Sequence, residues 1–453
     1  MRAELTTQGT ATRIDGPLLF LERNVEVALG EAVDVLIGDE PPRTGRVTSL
    51  DDDTIVIEVL ETTRGLSLDA LRVRFRGEPI SMGVGPGLLG RIFNGVGQPA
   101  DGGPPVAAVA QRRVDAPAMN PARRALPRDF IETGVSAIDL TNSLIRGQKL
   151  PIFSSGGLPH DRLAIEIARH ARLRDANGGE FAIVFVGIGV SYDSAEIFRR
   201  AMEDSGALGH TAMFLNLASE PSPQRLLAPR VALTAAEYLA FDEGRHVLVI
   251  LTDMTNYCEA LREVSASRGE VPSRKGYPGY MYSDLASIYE RAGCIRGLPG
   301  TLTQLPILTM PADDIGHPIP DLTGYITEGQ FYLHDGAIDP FGSLSRLKQH
   351  VIGSATREDH AQIMNTMIRL YSGARDAEQK QAMAFELSDL DRKLLHFGRL
   401  FRERFMAIEV SMSLEQALDL SWQTLAECFD PEELLMKQSL IDKYLPVRQT
   451  EGI

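Results

Sequence analysis

The stretch Leu150-Pro-Ile-Phe-Ser-Ser-Gly-Gly-Leu-Pro-His-Asp-Arg-Leu-Ala164 has the layout of a phosphate loop: an apolar run, a glycine turn, then a helical pattern opened by Pro159. Backbone N–H groups at such a turn and helix start cradle phosphate. The loop ordinarily ends Gly-Lys-Ser/Thr, the lysine holding the β- and γ-phosphates and the hydroxyl holding magnesium. Here Leu158 and Pro159 occupy those places, followed by His160 and Asp161, and no GxxxxGK[ST] occurs in the chain. Proline offers no N–H, and Asp161 puts negative charge where a phosphate would lie. Taken alone, the stretch fits an ordinary strand-to-helix turn as well as a phosphate loop that has lost its chemistry.

Other stretches bear on the choice. His246-Val-Leu-Val-Ile-Leu-Thr-Asp253 has the form of the second nucleotide strand of P-loop proteins, whose terminal Asp reaches magnesium. Phe185-Val-Gly-Ile-Gly189 ends a strand where a carboxylate would orient a hydrolytic water, but Val190 and Ser191 follow and neither can act as a base. Ser265 to Tyr282 is dense in Arg, Gly and Tyr, and suits either RNA stacking or a structured loop at a subunit interface. Arg346, in Ser343-Leu-Ser-Arg-Leu, sits where strand patterns give way to helical ones, as a surface charge or a functional cation. The acidic turn Asp51 to Asp53 reads as a solvated turn rather than a cation site.

The elements that must position these residues fall into three regions. Residues 1–75 carry short β-branched runs with Gly, Pro and Asp punctuation, which predicts a small β-barrel or sandwich. Residues 76–345 hold the α/β region. Its first part, 76–130, is rich in Gly and Pro and reads as an ordered connector. From about 131 the apolar runs at Phe181, Ala212 and His246 alternate with helical patterns, which predicts a parallel sheet buried on both faces. Residues 346–453 read as a helical bundle, with Thr356 as one helix cap and Ser413-Leu-Glu-Gln416 as a capping box. The fold class is therefore a multidomain α/β chain: N-terminal barrel, central P-loop-type domain with a degenerate loop, C-terminal helices.

The 453 residues suffice for two or three domains, and 43% hydrophobic with 24% charged residues is a globular balance. A formal charge of −15 argues against a general nucleic-acid surface, leaving room only for a local basic groove. The three cysteines lie far apart without metal-ligand spacing, as expected of free thiols in a reducing compartment. The N-terminal Met-Arg-Ala-Glu-Leu-Thr-Thr has no apolar signal segment and no run is long enough to span a bilayer, so membrane association is expected only through a partner.

Together the motifs resemble the B subunit of the rotary V-type and archaeal-type (A-type) ATPases, from about residue 5 to 446. The resemblance is carried by Arg146-Gly-Gln-Lys-Leu-Pro-Ile-Phe-Ser, Gly157-Leu-Pro-His160, Leu251-Thr-Asp-Met-Thr-Asn-Tyr, Glu259-Ala-Leu-Arg-Glu, Gly276-Tyr-Pro-Gly-Tyr-Met-Tyr and His317-Pro-Ile-Pro-Asp-Leu-Thr-Gly-Tyr. It departs from the family at Asp161, commonly Asn there, and at His334-Asp-Gly-Ala-Ile-Asp-Pro-Phe-Gly342, which replaces a more Pro-rich segment. The resemblance implies a subunit that alternates with catalytic A subunits in a six-membered ring, around a central rotor shaft and beside peripheral stalk subunits. It implies ATP or ADP with Mg at the A–B interface, none held tightly by this chain alone, and membrane contact only through the ion-translocating sector, on the cytoplasmic face. By motif match it makes Arg346 an arginine finger acting in trans, with Ser343 and Arg262 beside the interface nucleotide and Arg262 as the next candidate cation.

Three function classes follow: a non-catalytic ring subunit completing its neighbour's ATP site, a self-sufficient P-loop export motor, and an RNA-translocating hexamer. The missing lysine, hydroxyl and strand-end carboxylate oppose the second, and the acidic charge and missing lysine oppose the third.

Overall fold

The computed structural model describes residues 11–117, 119–173 and 179–446; the reading of the first seven residues lies outside them. Six strands open the chain: β1 (Ala11–Asp15), β2 (Leu18–Glu22), β3 (Glu31–Ile37), β4 (Arg43–Leu50), β5 (Thr54–Val59) and β6 (Leu71–Pro79). They pair antiparallel in the order β1-β2-β5-β4-β3-β6, around a core that includes Leu19, Val33, Val35, Ile55 and Ile57. Glu58, on β5, is fully buried yet accepts from Arg46 at 2.8 Å and from Arg268 of the central region at 3.1 Å. A buried carboxylate needs such partners, so this charge joins the N-terminal sheet to the rest of the molecule.

The central sheet contains β7 (Ile92–Asn94), β8 (Ile152–Ser155), β9 (Phe181–Val190), β10 (Thr211–Leu217), β11 (His246–Thr252), β12 (Thr301–Met310), β13 (Gly329–His334) and β14 (Ala337–Ile338). Their order is β14-β13-β8-β12-β11-β9-β10-β7. Every pair from β13 to β7 is parallel; β14 returns antiparallel on β13. The continuous apolar runs follow from this placement, since every residue of β11 is buried. The connector does more than pack on the next domain: its β7 is an outer strand of the sheet. Three residues amid Gly and Pro are too few to show a strand pattern.

Helices close the chain. The helix α1 (His160–His170) follows β8 and α2 (Met254–Ser267) follows β11; the longer terminal helices are α3 (His360–Ala382), α4 (Asp389–Phe401) and α5 (Leu414–Cys428). The capping box forms as expected, Ser413 Oγ accepting from Gln416 N at 3.3 Å and Gln416 Oε1 from Ser413 N at 3.0 Å. Thr356 does not cap a helix, which corrects the sequence reading. Asp359 holds the N-cap of α3 and makes no side-chain cap bond. Its carboxylate is occupied by Arg357 at 2.7 and 2.8 Å and by Trp422 Nε1 at 2.7 Å. Thr356 Oγ1 instead accepts from Gly353 N at 2.7 Å and faces His360 Nδ1 at 3.1 Å.

His360 makes the junction of helices and sheet pH-sensitive. Its ring is buried, with Nε2 2.9 Å from the Leu140 carbonyl oxygen, so Nε2–H donates there and Nδ1 is left to accept from Thr356. Burial lowers its pKa from 6.5 to about 4. Between those values the unfolded chain holds the extra proton. The stability tied to the neutral ring is therefore complete above about pH 6.5 and is lost as the pH falls toward 4. The loss is expected to reach about 3 kcal/mol, measurable by denaturant titration at pH 7 and pH 4.5. Most of that pH slope should disappear in His360→Gln.

Candidate functional site

The degenerate loop sits at the carboxyl edge of the sheet, between β8 and α1. Gly157, at φ +80°, allows the turn. The backbone then bonds to itself: Leu158 N donates to Ser155 O at 3.3 Å and His160 N to Leu158 O at 2.8 Å. Two of the groups that would cradle phosphate, Leu158 N and His160 N, are thus engaged, and at Pro159 one is missing. The Ser155 hydroxyl donates to the Asp313 carboxylate, and Asp161 accepts from Thr252 Oγ1 at 3.3 Å. His160 Nε2 lies 3.5 Å from Asp161 and 4.0 Å from Asp253. Three carboxylates around a closed turn do not fit a bound phosphate chain. Arg162 adds a tie to the helical end through Glu409 at 2.9 Å.

The neighbouring strand ends are equally committed. Asp253 caps α2 by accepting from Thr255 N at 2.8 Å, and also accepts from Thr309 Oγ1 at 2.6 Å. After β9, Val190 is buried and Ser191 caps the next helix, accepting from Ser194 N at 3.0 Å. Asn256 Nδ2 donates to the Ile188 and Gly189 carbonyls at 2.9 and 3.2 Å. Neither Val190 nor Ser191 supplies a carboxylate to orient a water. Among the described residues no group of His, Cys, Asp and Glu is arranged to hold a metal ion.

Arg346 lies at the opposite edge. A short strand β15 (Leu344–Ser345) pairs antiparallel with the start of β13, Ser345 against Gly329 and Leu344 against Gln330. Arg346 N then donates to Glu328 O at 2.9 Å. Because β8 and β13 are parallel, with Ser154 beside Leu333, the loop lies past the other end of β13. Glu328 to Leu333 spans roughly 16 Å at about 3.3 Å per residue. The Arg346 side chain is exposed and makes no hydrogen bond or ion pair among the described residues. Ser343 is buried three residues earlier, its Oγ accepting from Tyr332 N at 3.0 Å.

The other candidate cations are neutralised within the chain. Arg262 pairs with Glu259, and its guanidinium lies 5.7 Å from the Tyr277 ring. In the Arg- and Tyr-rich stretch, Arg268 meets Glu58, Arg274 meets Asp321 at 3.2 Å and Gly316 O at 2.7 Å, and Lys275 meets Asp314 at 3.1 Å. These pairs brace the loop and spend its charge internally.

The sequence reading gives Gln148 and Lys149 only as parts of a motif and assigns no task to them or to Glu328. In the structure the buried Gln148 donates to Ser345 Oγ at 3.1 Å, and Glu328 receives Lys149 Nζ at 2.6 Å while its carbonyl holds Arg346 N. The signal available was the pairing of a charged Arg-Gly-Gln-Lys turn with a Glu before Gly329, two groups that burial would force together.

The fold and loop define a class: a P-loop-type α/β nucleotide-binding domain between a β-domain and a helical end, with its own phosphate chemistry dismantled. The ATP synthase alpha/beta family nucleotide-binding domain matches residues 134–339, its beta-barrel domain 11–77, and the C-terminal domain of V and A type ATP synthase 349–445. The chain is 50% identical over 434 residues to the V-type ATP synthase beta chain of Halothermothrix orenii, covering 93% of each. It is 51% identical over 448 residues to the B subunit of the A-type ATP synthase of Aeropyrum pernix, covering 96% of each. A solved structure, described as a unique ATP synthase subunit NeqB from Nanoarcheaum equitans, superposes with TM-score 0.72 at 34% identity, covering 92% of this chain and 100% of that one. The chain belongs to the ATP synthase alpha/beta family, among the B subunits of the V- and A-type rotary ATPases. Among the described residues no helix is long and apolar enough to cross a membrane.

Proposed function

We propose that the chain is a non-catalytic ring subunit that alternates with catalytic A subunits and supplies Arg346 to their ATP sites. The observation that carries this reading is the opposition of the two edges: a carboxylate-lined loop at one end of β8 and β13, and at the other an exposed guanidinium without a partner among the described residues. A cation so placed cannot serve its own loop and is presented outward, to a neighbour. In ATP hydrolysis negative charge spreads over the γ-phosphoryl and leaving oxygens. A guanidinium held against those oxygens stabilises the transition state beyond the ground state. Mg belongs with the neighbour's intact loop, which supplies the lysine and hydroxyl that Leu158 and Pro159 replace. Ser343 acts within the chain, fixing the segment that carries Arg346. The remaining partners are the rotor shaft, the peripheral stalk and, at the cytoplasmic face, the ion-translocating sector through which the head reaches the membrane.

The test is reconstitution. The chain alone, the A subunit alone and the two together are assayed for ATP turnover with Mg. Turnover is expected only from the A–B ring, with RNA without effect. Turnover above ~1 per second from this chain alone, an ordinary enzyme rate, would overturn the reading in favour of a self-sufficient motor.

A further inference from the structure

We propose that Phe341 is a positioning residue for Arg346, which ties the segment carrying the guanidinium to the helical end of the chain; the proposal rests on the reading of Arg346 given above. From Gly342 to Arg346 this segment is pinned to β13. Gly342 O accepts from Gln330 Nε2 at 3.3 Å, Ser343 Oγ from Tyr332 N at 3.0 Å, and Arg346 N donates to Glu328 O at 2.9 Å. The approach is close: a Cβ on Gly329, at φ +135°, would lie 1.9 Å from Leu344 O. A segment held this tightly passes a displacement along rather than absorbing it.

Its upstream end leaves the sheet at Phe341. Asp339 accepts from Phe341 N at 3.2 Å and from Gly342 N at 3.1 Å, which sets the direction of the aromatic ring. That ring stacks on Tyr371 of α3, with centroids 5.6 Å apart and planes within 5°. Arg375 lies 5.5 Å from the Phe341 ring, and Tyr371 packs on Phe401 of α4 at 4.9 Å. A line of rings thus runs from the segment into the helical core. On the far side of Arg346, Lys348 Nζ reaches Asn142 Oδ1 at 3.2 Å. Arg346 is therefore held between a tether to the helices and a tether to the α/β region, and the attitude of the helices sets where the guanidinium points. Phe341 is 41% exposed, so it contributes little to the core.

Misplacement by about 1 Å at a reacting centre costs up to ~10² in rate. In the A–B ring, Phe341→Ala is expected to lower kcat about tenfold and leave KM for ATP within about twofold, because Phe341 touches no nucleotide. Phe341→Tyr keeps the planar face and is expected to match wild type. Phe341→Leu keeps bulk without the stack and is expected to fall with the alanine variant. Ring content, followed by native mass spectrometry, is expected to stay unchanged. Combined with Arg346→Ala, Phe341→Ala is expected to cost nothing further in single-turnover assays, since it acts only through that guanidinium. The proposal is overturned if Phe341→Ala turns over within about twofold of wild type, if its loss multiplies with that of Arg346→Ala, or if leucine rescues as well as tyrosine. Failure of the arginine reading itself is seen separately, as full activity in Arg346→Ala alone.

Discussion

Replacing Arg346 by alanine is expected to leave the A–B ring assembled and to lower its ATP turnover by about 10³ to 10⁵. The size follows from the role. A guanidinium supplied from a neighbour to a transferring phosphoryl group is worth roughly 4 to 7 kcal/mol of barrier. Assembly is expected to survive because the side chain is exposed and makes no bond among the described residues. The backbone at this residue is fixed independently, through Arg346 N to Glu328 O at 2.9 Å and the pairing of Ser345 with Gly329. Arg346→Lys is expected to rescue poorly. An ammonium is a point charge on a flexible stem, whereas the guanidinium presents a planar fork and stays charged at every working pH. The measurement is steady-state hydrolysis by the purified ring, with native mass spectrometry confirming its composition. If the alanine ring turns over within about threefold of wild type, far short of the expected loss, the assignment fails. Arg262 would gain nothing from that outcome unless its pairing with Glu259 opens on assembly.

Apolar patterning made the three-part fold legible. The buried strands at Phe181, Ala212 and His246 form the sheet the pattern predicts, because a strand covered on both faces must be continuously apolar. The capping box at Ser413 was equally readable, since it is a local exchange of hydrogen bonds. Long-range choices were not readable. β7 owes its place in the sheet to its neighbour β10, not to any preference of Ile92 to Asn94. Thr356 looked like a cap because nothing local reveals that Asp359, paired with its near neighbour Arg357, is also claimed by Trp422, far along the chain. The candidate site divides in the same way. The loss of phosphate chemistry shows in residue types alone, at Leu158, Pro159 and Val190. The opposition of loop and arginine does not, because it depends on the direction of β13 relative to β8. The contact of Phe341 with Tyr371 joins two regions that the sequence gives no reason to pair.

Giving the loop back its lysine and hydroxyl, as Leu158→Lys with Pro159→Thr, is expected not to restore tight ATP binding to the isolated chain. Both the wild-type and the doubly substituted chain should bind MgATP with Kd of about 1 mM or weaker, roughly −4 kcal/mol. A functional loop needs free N–H groups and a field that favours anions. Here Leu158 N is committed to Ser155 O and His160 N to Leu158 O, and a new side chain does not release them. Asp161 and Asp253 stand within 3.5 and 4.0 Å of His160, and Asp313 is fixed by the Ser155 hydroxyl. Asp253 is further held by Thr309 at 2.6 Å, so it cannot turn toward a metal without breaking that bond. Adding Asp161→Asn and Asp313→Asn to the pair should lower Kd by about thirtyfold, since each removes a like charge worth about 1 kcal/mol at close range. Calorimetry on each variant checks the order of effects. A Kd below about 10 μM, roughly −7 kcal/mol, for the wild-type chain would show that the loop still accepts phosphate and that its closure is not the obstacle. The same affinity appearing with Leu158→Lys and Pro159→Thr alone would show that the lost side chains, not the carboxylates and the closed turn, were what kept ATP out.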